Sequence, residues 1–155
     1  ESQLNCFQNQ ILIAKELDLP IIVHDRQSKG DTLKVLKDMN VTKGVIHCFS
    51  GSAETAKILI NMGFMISFTG VITFKNAKRA IEALKVIPIE RLMIETDSPY
   101  MAPEPFRGRR NDSRYVKYVA EKMAEVKGIE LEQLCEITYQ NGLKFFNITK
   151  EENIQ

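Results

Sequence analysis

Four short apolar runs recur along the chain, and each hands over to a polar residue or a glycine at a nearly constant interval. Pro20-Ile21-Ile22-Val23 leads into His24, Gly44-Val45-Ile46 into His47, Met65 to Thr69 into Gly70, and Leu92 to Thr96 into Asp97, so the endpoints lie 23, 23 and 27 residues apart. That spacing fits a strand plus a helical return, the connection parallel strands need because a tight turn cannot join them. Strands this rich in Ile and Val read as covered on both faces. The chain therefore predicts an α/β fold with four parallel strands and covering helices, in either a doubly wound sheet or a β/α barrel.

Helical periodicity fills the intervals. Leu4, Phe7, Ile11, Ala14 and Leu17 form an apolar stripe that Asp18-Leu19-Pro20 breaks. Asp31 is placed to cap a helix carrying Leu33, Leu36 and Met39, which Asn40 ends. Ser50-Gly51-Ser52 opens another helix that Gly63 closes, and Asn76 to Ile87 forms a further one stopped by Pro88. Beyond Asp97 no strand pattern recurs. A loop with prolines and arginines, Ser98 to Arg110, leads into helices over Ser113–Lys127 and Leu131–Phe146. With no linker or low-complexity tract, residues 1–148 are expected to form one domain and 149–155 a short tail.

Bulk composition narrows the function classes. Lysine and arginine total 21 against 20 acids, so no overall positive field draws nucleic acid, and any basic surface must be local. Cys6, Cys48 and Cys135 are few, odd in number and set within apolar elements, which predicts buried reduced thiols rather than a disulfide framework. The apolar runs are strand-sized and no signal pattern is visible, so the expectation is a cytoplasmic protein with no membrane partner.

The chemistry-bearing residues sit at the strand ends, where parallel sheets collect their ligands. His24 and His47 are the chain's two histidines. A lone histidine at a strand end is usually a packing residue, but two of them one repeat apart would come within reach of one divalent ion. Asp97 could simply cap the following turn. Alternation nevertheless puts Met93, Glu95 and Asp97 on one face, and two acids pointing the same way are costly to bury without a cation. Asp97 is thus a candidate metal ligand and catalytic carboxylate, with Glu95 supporting from behind. Arg107, Arg109 and Arg110 follow Asp97 in a loop that can reach the same mouth, where an arginine fork suits phosphate; pairing with Asp112 is the ordinary alternative. Arg26 and the Ser50-Gly51-Ser52 turn are further phosphate candidates. Cys48 should point to the opposite face from His47, into the core.

These segments resemble the C-terminal portion of the TatD family of metal-dependent deoxyribonucleases, relatives of the amidohydrolase superfamily. The matching stretches are Leu19 to Arg26, His47-Cys48-Phe49-Ser50-Gly51, Ile94 to Tyr100 and Pro105 to Asn111, within a similarity running from Leu4 to Phe146. The resemblance implies a TIM-type (β/α)8 barrel with two divalent metals (Mg, Mn or Zn) at the C-terminal ends of the strands. It implies that His24 and His47, on the fifth and sixth strands, bind one metal. Asp97, on the eighth, would bind the other and hold the attacking water. The family's first-strand His-x-His pair and its metal-bridging glutamate would lie upstream of Glu1. The chain is therefore expected to be the C-terminal half of a barrel, against roughly 250 residues for a whole one. Its open edges and apolar inner face call for a partner, either an N-terminal half or a second copy of the chain.

The resulting expectation is hydrolysis of DNA phosphodiester bonds by a two-metal site, with Arg26, Ser50 and Arg107 as phosphate contacts and little activity in the 155 residues alone. Two alternatives stand beside it: a metal-dependent hydrolase of a small phosphoester, amide or lactone, and a noncatalytic assembly piece.

Overall fold

The computed structural model describes residues 2–149 apart from Gln27 and Lys29. Beyond Thr149, the expected tail lies outside the described residues. Strands and helices alternate as α1 (Ser2–Glu16), β1 (Ile21–His24), α2 (Asp31–Asp38), β2 (Gly44–His47), α3 (Ala53–Asn61), β3 (Met65–Phe68), α4 (Lys78–Val86) and β4 (Leu92–Ile94), followed by α5 (Val116–Lys127) and α6 (Leu131–Phe146). All strand pairs are parallel, in the order β1-β2-β3-β4. A doubly wound sheet reverses its order at a switch point. This one runs on without reversal, which is the arrangement of half a (β/α)8 barrel.

Register sorts the strand residues onto two faces. Val23 pairs with Ile46, Ile46 with Ile66, and Ile66 with Leu92. These side chains form the main core with Leu36, Leu59, Leu84, Val119, Met123 and Leu134 from the helices. The residues between them point the other way. Near the N-terminal ends of the strands, Val45, Met65 and Met93 pack under Phe145 of α6, and Asn141 ties α6 to the sheet by donating to the Ile89 and Leu92 carbonyls at 2.9 and 2.8 Å. Toward the C-terminal ends the same face carries His24, His47, Glu95 and Asp97. Ile22, on the edge strand β1, is 62% exposed on this face.

Several local expectations are corrected. Asp31 does not cap α2; it is the first helical residue, and Gly30 precedes it at φ 97° with no side-chain cap. The acid still lies in the first turn, where the helix dipole favours a negative charge. Cys6 and Cys135 are exposed rather than buried, on helix faces turned from the core; both are free, as is Cys48. Strands β3 and β4 stop short of Gly70 and Asp97. A 3-10 turn takes over at Gly70–Thr73, and the last rung past β4 is the Glu95 N–H donating to the Phe68 carbonyl at 3.1 Å. Further 3-10 turns, Ile89–Arg91 and Ser113–Tyr115, precede β4 and α5. Among the described residues no helix is long and apolar enough to cross a membrane.

Candidate metal and phosphoester site

Parallel pairing brings the two histidines together. His24 and His47 are register partners on adjacent strands, and their ring centroids stand 5.5 Å apart. Glu95 follows β4 on the same face and reaches back under β2. One carboxylate oxygen accepts from the Cys48 backbone N–H at 2.7 Å, and the other pairs with His47 Nδ1. The Cys48 amide is free to point at Glu95 because the chain leaves the strand there, with Cys48 at φ 49°.

The opposite ring nitrogen, His47 Nε2, lies 3.2 Å from Asp97 Oδ1. His47, Glu95 and Asp97 side chains are 20%, 22% and 29% exposed, so the cluster is sheltered yet open at one end. An ionised carboxylate only accepts, so the Glu95 contact places a proton on Nδ1. Nε2 then faces a second acceptor, an arrangement that is attractive only with a proton or a cation between the two atoms. The spacing suits a cation, since ligand atoms held about 2.1 Å from a tetrahedral ion stand about 3.4 Å apart. Imidazole nitrogen with carboxylate oxygen is also a donor set shared by zinc and manganese. Among the described residues, no three His, Cys, Asp or Glu side chains are grouped as a ready three-ligand set. His24 stands exposed one strand over from the His47–Asp97 pair.

Cys48 takes no ligand position. Its Sγ contacts Thr69 Oγ1 at 3.3 Å, and burial pushes the thiol up from its ordinary value against the lowering effect of that hydrogen bond, with smaller raising contributions from Glu95 and Asp97.

The phosphate candidates are spread around the strand ends. Arg26 is exposed, at one end of a groove of about 890 Å³ along β1 that His24 and Ile22 also line. Ser50 is exposed at the rim of a cleft of about 590 Å³ on the helical side of the sheet, between α2 and α3. Ser52, not Ser50, is the cap of α3, accepting from the Thr55 N–H at 3.2 Å. In the arginine loop, the Arg107 guanidinium lies over the Phe74 ring at 4.3 Å from its centroid. The partner of Asp112 is Arg114, which donates through Nε and Nη2 at 3.0 and 2.9 Å, rather than any of the loop arginines.

The sequence also matches a known family. Residues 1–147 fit the family described as TatD-related DNase. The chain belongs to the TatD family. It is 48% identical over 148 residues to YabD of Bacillus subtilis and 45% identical over 148 residues to YcfH of Escherichia coli K12, each named an uncharacterized metal-dependent hydrolase. Each alignment covers 94% of this chain but 58% and 56% of those proteins, so the chain spans little more than half their length. Among solved structures, the TatD homologue YJJV from Escherichia coli K12 superposes with a TM-score of 0.84 at 28% identity, covering 90% of this chain and 54% of that one. A TatD-family hydrolase from Entamoeba histolytica gives 0.84 at 26% identity, covering 95% and 57%.

Within this TatD fold, sequence reasoning passed over Thr69, whose hydroxyl touches Cys48 and also accepts from the Val71 N–H at 3.4 Å. Its signal was there: a threonine just before Gly70 is a common opener of a tight turn. It also passed over the role of Asn111, which is buried at 3% exposure.

Proposed function

We propose that this chain contributes to a metal-dependent hydrolase that cleaves DNA phosphodiester bonds, its site completed by polypeptide beyond the 155 residues. The observation that carries the reading is the His47 imidazole, oriented by Glu95 on one side and facing the Asp97 carboxylate on the other. His24, His47 and Asp97 would hold divalent metal, and such ions supply Lewis acidity and a nucleophile at neutral pH. Asp97, whose side chain is partly exposed beside His47, orients a water and takes its proton as the water oxygen bonds to phosphorus and the P–O bond to the leaving oxygen breaks. Glu95 fixes the tautomer and plane of His47. Arg107, Arg26 and Ser50 bind the phosphates on either side of the scissile bond.

Family membership and the relatives' names support hydrolysis with metal. The arginine-bearing loop favours an anionic substrate over a neutral amide or lactone. The test is cleavage of end-labelled single-stranded DNA, beside a small phosphomonoester and a lactone. It would use the longest natural polypeptide carrying these residues, with manganese or magnesium added and then removed by chelator. DNA cleavage that is lost in an Asp97→Asn variant is expected. Turnover of the small substrates with DNA left intact would overturn the nuclease reading.

A further inference from the structure

Asp97 sits in a backbone conformation that L-residues disfavour, with φ at 56°, and Met101 four residues on has φ 56° as well. Such a turn persists where its surroundings over-determine it. Those surroundings come largely from one side chain. Asn111, which closes the arginine loop, donates from Nδ2 to the Thr96 carbonyl at 2.7 Å and to the Tyr100 carbonyl at 2.6 Å, and its backbone N–H donates to the Pro99 carbonyl at 3.0 Å. Inside this clamp the Tyr100 N–H donates to the carbonyl of Asp97 itself at 2.8 Å. The carboxamide therefore holds the residues on both sides of the acid.

The other end of the carboxamide is instructive. Asn111 Oδ1 is buried and accepts no hydrogen bond among the described residues. An unsatisfied buried acceptor counts against folding. The amide cannot turn over to relieve it, because Oδ1 would then face two carbonyl oxygens. The side chain thus keeps a wasted acceptor in order to place two donors on the Asp97 turn. Aspartate would set a carboxylate against those carbonyls, and glutamine would need room for a further carbon in a fully packed spot.

We infer that Asn111 is a positioning residue for Asp97: it fixes the turn that presents the carboxylate to His47, and ties the loop bearing Arg107, Arg109 and Arg110 to that same turn. Substrate phosphate held by the loop and the acid acting on it would then keep a set separation. The catalytic meaning rests on the hydrolase reading above. The clamp does not.

The test uses the chain with ¹⁵N-labelled histidine and reads the His47 ring resonances, which sense the nearby carboxylate. Asn111→Ala and Asn111→Asp should shift them in the direction given by Asp97→Ala and by at least half as much, and Asn111→Ser, which keeps a short donor, by less. Asp112→Ala, which breaks the neighbouring pair with Arg114, should leave them in place. Hydrogen exchange at the Tyr100 amide should rise tenfold or more in Asn111→Ala while the Leu92 amide is unchanged. If the variants do not fold, the unaltered chain decides: the Tyr100 amide should be protected like that of Leu92, and exchange at an open-loop rate overturns the inference. So do unmoved His47 resonances in folded Asn111 variants. Broadening of the His24 and His47 signals by manganese is a separate arm, whose failure would remove the metal reading and leave the role of Asn111 standing.

Discussion

His47 and Glu95 form a through-sheet pair: the acid after β4 reaches past β3 to hold the imidazole at the end of β2 and the amide that follows it. The strand between them can be crossed because its own end carries no bulky side chain on that face. Removing Glu95 therefore costs two contacts at once. Glu95→Ala should destabilise the chain by about 1–3 kcal/mol in urea unfolding, since a half-buried amide and an imidazole both lose their acceptor. It should weaken divalent-metal affinity by about 10- to 100-fold in calorimetric titration. Affinity equal to the unaltered protein would show that His47 needs no orienting partner.

Asp97→Asn keeps the size and much of the turn but removes the charge. In the longer polypeptide it should reduce kcat about 100- to 10,000-fold with little change in melting temperature, because the loss falls on the proton acceptor rather than on the core. His24→Ala and His47→Ala should instead lower the affinity for metal, so that added manganese recovers part of their activity. Turnover at the normal rate in all three variants would refute these roles.

Arg107→Ala should weaken DNA binding and flatten the dependence of log Kd on log salt by about one phosphate contact. Its stacking on Phe74 fixes where the guanidinium stands, so Arg107→Lys should restore charge without restoring affinity. An unchanged salt slope in the alanine variant would assign Arg107 to loop packing with Phe74.

Arg114, through its side-chain hydrogen bonds, holds the Asp112 carboxyl below the usual carboxylate range. A depressed folded-state value means stability that is present above the unfolded value, near pH 4, and is lost as pH falls through the folded one. Asp112→Asn keeps an acceptor for the Arg114 N–H but loses the charge. Its melting temperature should fall below that of the unaltered chain at pH 7, and the two curves should meet in strong acid. A gap that persists at pH 2 would rule out the ion pair as its source.

Gly70 has no space for a side chain: a Cβ built there would stand 2.2 Å from the Met101 carbonyl oxygen and 2.8 Å from the Pro103 nitrogen. Both neighbours are backbone and cannot swing aside. Gly70→Ala should cost about 1–3 kcal/mol, seen as a lower melting temperature, by overpacking. A neutral substitution would mean that the loop rides free of the strand.

The repeat of strand and helix, the parallel order and the common face of His24, His47 and Glu95 were legible because each follows from a period, two along a strand and about 23 along the chain, whereas Asp97 lies past the end of β4 and reaches His47 through a left-handed turn. Asp31 was misread because a helix start can be made by a left-handed glycine just as well as by a capping side chain, and both residues were present. Cys6 and Cys135 were misread because an apolar element still has an outer face. The partner of Asp112 and the clamp of Asn111 were out of reach. Both depend on how a loop folds back, and no period governs a loop.

The close approach of Gly70 to Met101 and Pro103 has a bearing on how this scaffold can be recombined. The end of β3 and the arginine loop are fitted to each other with no tolerance, while 30 residues of chain separate Gly70 from Met101. Transplanting segment 98–111 from a relative, to graft a new substrate preference, would succeed only if the donor's residue at position 70 travels with it. Strand end and loop behave as one heritable cassette, although the chain writes them far apart.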